Sequence, residues 1–136
     1  MTTDKEADVN IEQIETDPDP YAPYLLSQGI RIGDLLFVSG QVGIDDAGEL
    51  VSLDDFAVQA DQAFRNLSKV LEAGGSNLDR VANVTIFLTD MAANFPKVVE
   101  LRRKWFTPPY PADTIVEVRS LYRPEVMLEI EAIAVG

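Results

Sequence analysis

The segment Leu35–Gly40, LLFVSG, carries apolar side chains at consecutive positions. In an extended strand, neighbouring side chains point to opposite faces, so both faces of this strand need cover. The run VANVTIFLTD makes the same demand, with Val84, Ile86 and Leu88 on one side and Thr85, Phe87 and Thr89 on the other. Only two helical patterns are present to meet it. In the first, Phe56, Ala60, Ala63, Phe64, Leu67 and Leu71 fall on one stripe. Ser52 is expected to cap it with Asp55 completing a weak capping box, and Gly74-Gly75 to end it. In the second, Asn94 is expected as the cap, with Pro96 in the first turn. Phe95, Val98, Leu101, Arg102 and Trp105 share its inner face, where the arginine interrupts an apolar stripe. Two helices cover one face of a sheet. The other face then awaits a second copy of the chain.

The remaining strands complete an α+β domain. A strand over 25–32 leads through Gly33-Asp34 into LLFVSG as a hairpin. TIVEV follows the helix-breaking Pro108, Pro109 and Pro111. The last strand, MLEIEAIAV, sets Leu128, Ile130, Ala132 and Ala134 against Glu129, Glu131 and Ile133. The expected order is ββαβαββ, with two helices on one face of a mixed sheet, in one domain over 20–136. Residues 1–19 read as a flexible acidic arm ending in DPDP.

That arm holds half of the acidic excess: seven acidic residues in 1–20 against Lys5 alone, in a chain of net charge −12. A chain so acidic, with no basic run, repels phosphate backbones, so no nucleic-acid partner is expected. No apolar run reaches membrane-spanning length, and the N-terminus lacks the layout of a secretory signal, so a cytoplasmic protein is expected. The chain contains no cysteine and no histidine. Thiol nucleophiles, Ser-His triads and metal sites built on those ligands are therefore excluded. Any chemistry rests on carboxylates, hydroxyls, amides, Lys or Arg, and backbone dipoles.

Three separated segments, GDLLFVSGQVG, NLSKVLEAGGSNLDRVANVTIFLTD and EIEAIAVG, occur in the order found in the Rid/YjgF family of reactive-intermediate deaminases. The chain resembles that family from about Tyr21 to Val135. The resemblance implies a chorismate-mutase-like subunit, a homotrimer whose sheets form a pseudo-barrel, and small-molecule clefts between subunits. It also implies cofactor-independent hydrolysis of imines and enamines such as 2-iminopropanoate to a keto acid and ammonia. By the same resemblance, Glu129 is the acid that places the attacking water, while Ser39 and Gly40 form the cleft's Ser-Gly turn. Tyr24 corresponds to the cleft aromatic, with two extra residues between it and Ser39. Ala112, Asp113 and Thr114 stand at the substrate-gripping motif, P-A-R-[ST] in the family.

Here the motif reads Pro111-Ala112-Asp113-Thr114, so an aspartate replaces the arginine that grips the substrate carboxylate; Ile115 and Val99 depart from the pattern as well. A charge pair at about 4 Å in an effective dielectric near 20 is worth roughly 4 kcal/mol before desolvation. Exchanging arginine for aspartate reverses its sign, so weak or absent 2-iminopropanoate deaminase activity is expected. Three roles for Asp113 stay open: a surface or loop-capping residue, an ion-pair partner of Arg119, Arg123 or a neighbouring subunit's arginine, or a recogniser of cationic or hydrogen-donating substrates. Arg123 is the candidate replacement for the missing arginine, with Tyr122 beside it. Glu129 and Glu131 point the same way, about 7 Å apart along the strand, and form a candidate water-activating pair. The functional expectation is a hydrolase or deaminase of a small nitrogenous metabolite. The alternative is a non-catalytic metabolite-binding trimer.

Overall fold

The computed structural model describes residues 10–136. Its elements are β1 (Ile11–Ile14), β2 (Gly29–Ile32), β3 (Leu35–Gln41), α1 (Phe56–Ala73), β4 (Val81–Leu88), α2 (Met91–Trp105), β5 (Ala112–Glu117) and β6 (Leu128–Val135), with single 3-10 turns at Ala22–Tyr24 and Leu78–Arg80. The six strands form one sheet in the order β1-β2-β3-β6-β4-β5. Only β4 and β5 are parallel, so the sheet is mixed and the class is α+β. Both helices lie on one face. Val84, Ile86, Leu128 and Ile130 from the sheet meet Phe64, Leu67 and Val98 from the helices, all fully buried. Among the described residues no helix is long and apolar enough to cross a membrane.

The helix boundaries correct three expectations. Asp55, not Ser52, caps α1: its carboxylate accepts from Val58 N–H at 3.2 Å, while Ser52 Oγ accepts from Asp55 N–H at 3.0 Å one turn earlier. Asp90, not Asn94, caps α2, accepting from Ala93 N–H at 3.1 Å, so the last residue of the segment read as a strand is the helix cap. Pro96 therefore lies within the helix rather than in its first turn, and Asn94 is buried there. Gly74-Gly75 ends α1 as expected. Gly75, at φ 81°, donates to Glu72 C=O, and Ser76 N–H donates to Leu71 C=O at 2.8 Å. Two hydrogen bonds to one carboxylate fasten the helices to each other. Asp61 on α1 accepts from Lys104 Nζ at 2.6 Å and from Trp105 Nε1 at 3.2 Å on α2.

Within the segment read as a flexible arm, the structure places an edge strand. Ile11–Ile14 pairs antiparallel with Gly29–Ile32, and Ile14 is buried to 5% exposure. Two glycines make room for it. A Cβ on Gly74 would stand 2.8 Å from Ile14 Cδ1, and one on Gly29 would stand 3.4 Å from Ile14 Cβ. Because a single isoleucine anchors this strand among acidic neighbours, composition alone reads it as solvated. The arm's first nine residues lie outside the described residues.

The strand expected over 25–32 begins only at Gly29. Leu25 adopts a left-handed conformation at φ 62°, which ends the 3-10 turn and breaks extension there. The face of the sheet away from the helices remains bare. Leu35, Phe37, Val116 and Val135 on it are 37–42% exposed.

Candidate functional site

A bulge starts the site. In the β3–β6 ladder, Val38 pairs with Ala132 but Gln41 pairs with Ile130, so the partner advances two residues while β3 advances three. The extra residue at Ser39-Gly40 bends β3 and opens a gap over β6. Into that gap rises Glu129. Its carboxyl lies so close to Gly40 that a Cβ there would stand 2.5 Å from Glu129 Cδ. Only glycine leaves this space.

Around Glu129 a cavity of about 350 Å³ is lined by Tyr21, Tyr24, Leu26, Ser39, Gly40, Val42, Ile44, Gly48 and Tyr122. Three polar side chains, each anchored to backbone, hold its walls. Tyr21 donates its hydroxyl to Gly40 C=O at 2.6 Å. Asn66 on α1 donates to both Val42 and Ile44 C=O, at 2.9 and 2.8 Å, fixing the loop after β3. Gln59, fully buried on α1, donates to Ser52 and Glu125 C=O and accepts from Met127 N–H, so every polar atom of its amide is used. That last set ties the loop carrying Tyr122 to the start of β6. Tyr24 and Tyr122 meet edge to face, with ring centroids 6.4 Å apart.

Electrostatically the cleft is negative and uncompensated. Burial raises the pKa of Glu129, and Glu131 raises it further, with no hydrogen-bond donor among the described residues working against them. Burial also drives the Tyr21 phenol far above its ordinary range, Glu129 adding to the effect, so it stays a neutral donor to Gly40. Burial raises Tyr122 as well, with Arg123 opposing the shift. A half-buried carboxylate of raised pKa, open to a cavity, can take a proton from water and return it.

Of the residues expected from sequence, Tyr24, Ser39, Gly40 and Glu129 meet in this one cleft. The Ser39 hydroxyl is spent on Ser27 C=O at 2.6 Å, so its observed contact is structural. Glu131 shares the bare face with Glu129, two residues along β6 and opposite Thr85. Arg123 lies outside the cavity lining, its guanidinium 3.6 Å from Glu125.

The 112–114 segment is elsewhere within one chain. β5 is the far edge strand, with β4 between it and β6. Parallel pairing puts Asp113 beside Val84, which faces the helices, while Ala112 and Thr114 face the bare side beside Asn83 and Thr85. Asp113 and Glu129 therefore stand on opposite faces, and the like charge beside Glu129 is Glu131. Asp113 does pair with an arginine, but the partner is Arg102 on α2 of the same chain, through Nε–Oδ2 at 2.8 Å and Nη2–Oδ1 at 3.0 Å. This pair also explains the arginine in the helix's apolar stripe. It borders a separate cavity of about 450 Å³ with Val99, Arg103, Phe106, Tyr110 and Pro111. Tyr21, Gln59 and Asn66 were missed by sequence reasoning. A tyrosine next to a turn and amides within an amphipathic helix carry no local signal of the backbone they will hold.

The family model described as endoribonuclease L-PSP matches residues 14–136 of the chain. A RutC family protein of Pyrococcus horikoshii is 41% identical over 121 residues, covering 88% of this chain and 92% of its own. A 2-iminobutanoate/2-iminopropanoate deaminase of the mite Dermatophagoides farinae is 32% identical over 118 residues, covering 87% and 89%. The crystal structure of RidA from an Antarctic Psychrobacter superposes with a TM-score of 0.84 at 33% identity, covering 92% of this chain and 99% of that one.

Proposed function

Since the chain belongs to the Rid/YjgF family, described as endoribonuclease L-PSP, we propose that its cleft hydrolyses the C=N bond of a small imine, enamine or related nitrogenous metabolite, with Glu129 positioning the water. One observation carries the reading: the Glu129 carboxyl, half-buried and without a hydrogen-bond donor among the described residues, stands against Gly40 in a cavity large enough for a small metabolite. Relatives named as deaminases support the reaction class.

Water attacking the imine carbon loses a proton to Glu129. The same proton then serves the departing nitrogen, so one carboxyl cycles between base and acid. Burial against the cavity's apolar walls, and after it the neighbouring Glu131, raise its pKa above that of a solvated glutamate. Ordinary 2-iminopropanoate turnover is weak in this proposal, because Asp113 stands where the family's motif has its carboxylate-gripping arginine and is itself held by Arg102 through two hydrogen bonds.

The working form in this proposal is a homotrimer with the cleft at the subunit boundary. Support comes from the uncovered sheet face, where Leu35, Phe37, Val116 and Val135 leave an apolar surface that a further subunit would bury. Sedimentation velocity at micromolar concentration should give a single trimeric species, and a monomer there overturns this part. For the chemistry, a metabolite-mixture screen reading ammonia release is run on the wild type and Glu129→Ala. Release that disappears in the variant supports hydrolysis. Ligand-induced thermal shifts without ammonia from either protein would make the cleft a binding site alone.

A further inference from the structure

Packing asks only for the ring of Tyr21. The residue is 8% exposed and lies in a small apolar cluster with Val42, Ile44 and Val126, which a phenylalanine ring would fill equally. The hydroxyl adds a polar group to that cluster, and burying one costs stability unless it finds a partner. Its partner is the Gly40 carbonyl, at 2.6 Å and 19 positions along the chain. Resting on the hydrolytic reading, we propose that Tyr21 is a positioning residue for Glu129: through Gly40, its hydroxyl holds the carboxyl at the place where the attacking water gives up its proton.

Gly40 is the contact through which this works. It belongs to the bulge between Val38 and Gln41, where β3 loses its register with β6. A bulge interrupts the ladder, and glycine adds backbone freedom of its own. Side chains fasten the chain there instead. Gln41 Nε2 donates to Ser39 C=O at 3.0 Å, Ser39 Oγ to Ser27 C=O at 2.6 Å, and Tyr21 to Gly40 C=O. Of these three tethers, that of Tyr21 grips the residue Glu129 leans on, since a Cβ on Gly40 would stand 2.5 Å from Glu129 Cδ. Tyr21 is itself anchored on its own side. Its N–H donates to Asp19 Oδ1 at 2.9 Å, and its C=O accepts from Tyr24 N–H at 3.0 Å. Every one of these contacts lies within one subunit, so the tether does not depend on what a neighbouring copy adds to the cleft.

The hydroxyl holds rather than reacts. Burial first, and the Glu129 charge after it, keep the phenol far above its ordinary range, so its proton stays committed to Gly40. With the tether removed, the bulge is free to relax and the carboxyl loses part of the burial that raises its pKa. The other titratable and charged groups around Glu129 are Glu131 on β6 and Tyr122 in the loop before it, with Arg123 beside Tyr122. Tyr21→Phe leaves all three in place.

Carbon-13 NMR titration of the Glu129 carboxyl, assigned by its disappearance in Glu129→Gln, reads the tether in the full chain without any substrate. In Tyr21→Phe the midpoint should fall from its wild-type value toward the ordinary 4.5, while the thermal melt stays cooperative. Turnover of an imine that the metabolite screen identifies is measured alongside. There kcat should fall at least about tenfold with KM within about threefold, because a displaced carboxyl costs rate rather than binding. In a Gly40→Ala background the same substitution should cost no more than about twofold further, since both changes act on one contact. An unmoved midpoint, equal losses with and without Gly40→Ala, or a raised KM at unchanged kcat overturns the proposal. So does a Tyr21→Phe chain that no longer melts cooperatively, which would make the hydroxyl part of the fold. A lowered midpoint in a protein that releases no ammonia from any imine sinks the hydrolytic reading and leaves the tether standing. Ammonia release with an unmoved midpoint does the reverse.

Discussion

Arg102 on α2 grips Asp113 on β5 through two parallel hydrogen bonds of 2.8 and 3.0 Å, locking helix to edge strand where sequence alone invites a ligand-facing aspartate. Their side chains are 25% and 16% exposed, between a surface pair and a buried one. Asp113→Ala should therefore cost about 1–3 kcal/mol in urea unfolding. Asp113→Arg sets two guanidinium groups together, costs more, and gains no 2-iminopropanoate deaminase activity. The exchanged double variant Arg102→Asp/Asp113→Arg should recover much of the loss, a coupling that a double-mutant cycle measures directly.

Gly40→Ala separates the site from the fold. The added methyl meets the flexible end of Glu129 rather than backbone, so the side chain can swing aside and the protein should fold with little change in Tm. Ligand binding and any turnover in the cleft should fall by at least about tenfold, because displacement by even a fraction of a side-chain length misplaces the carboxyl. Wild-type activity in this variant would remove Glu129 from its assigned position.

The proton affinity of Glu129 has a consequence for stability. Its folded-state pKa lies above its ordinary value of 4.5, because burial and Glu131 both disfavour the charged form. The folded state therefore binds the proton more tightly than the unfolded chain does, and stability falls as pH rises through the window above 4.5. Glu129→Gln, which carries no charge, should be more stable than wild type at neutral pH. The difference should close once the pH is brought below 4.5, as thermal melts across that range will show.

Ile14 tests whether the acidic N-terminal segment belongs to the folded domain. Its side chain fills the space left by Gly29 and Gly74 and packs beneath β1. Ile14→Ala should cost about 2–4 kcal/mol in urea unfolding, the range for a buried aliphatic truncation. A cost near zero would return this segment to the solvated arm that its composition implies.

The legible parts of the chain were those whose burial repeats with a period. Strict alternation from Leu128 to Ala134 located β6 and its face, and with it the outward turn of Glu129. The stripe from Phe56 to Leu71 located α1. What escaped depends on contacts across the sequence. Arg102 looked like a blemish in a helix stripe until the parallel register of β5 turned Asp113 toward it. Tyr21 finds the Gly40 carbonyl 19 positions away, and Gln59 finds Met127 across 68. Neither partner is encoded by local pattern. Ile14 was hidden for the opposite reason, a lone apolar anchor among acidic neighbours whose pocket is made by the absence of two side chains.

The central claim is that Glu129 moves the proton of the attacking water. Single-turnover hydrolysis of an imine that the metabolite screen identifies as a substrate, followed by ammonia release in wild type and Glu129→Gln, tests it most directly. Loss of about 10²–10⁴-fold in the glutamine variant, with binding geometry otherwise preserved, is the predicted result. A variant that releases ammonia as fast as the wild type would contradict it.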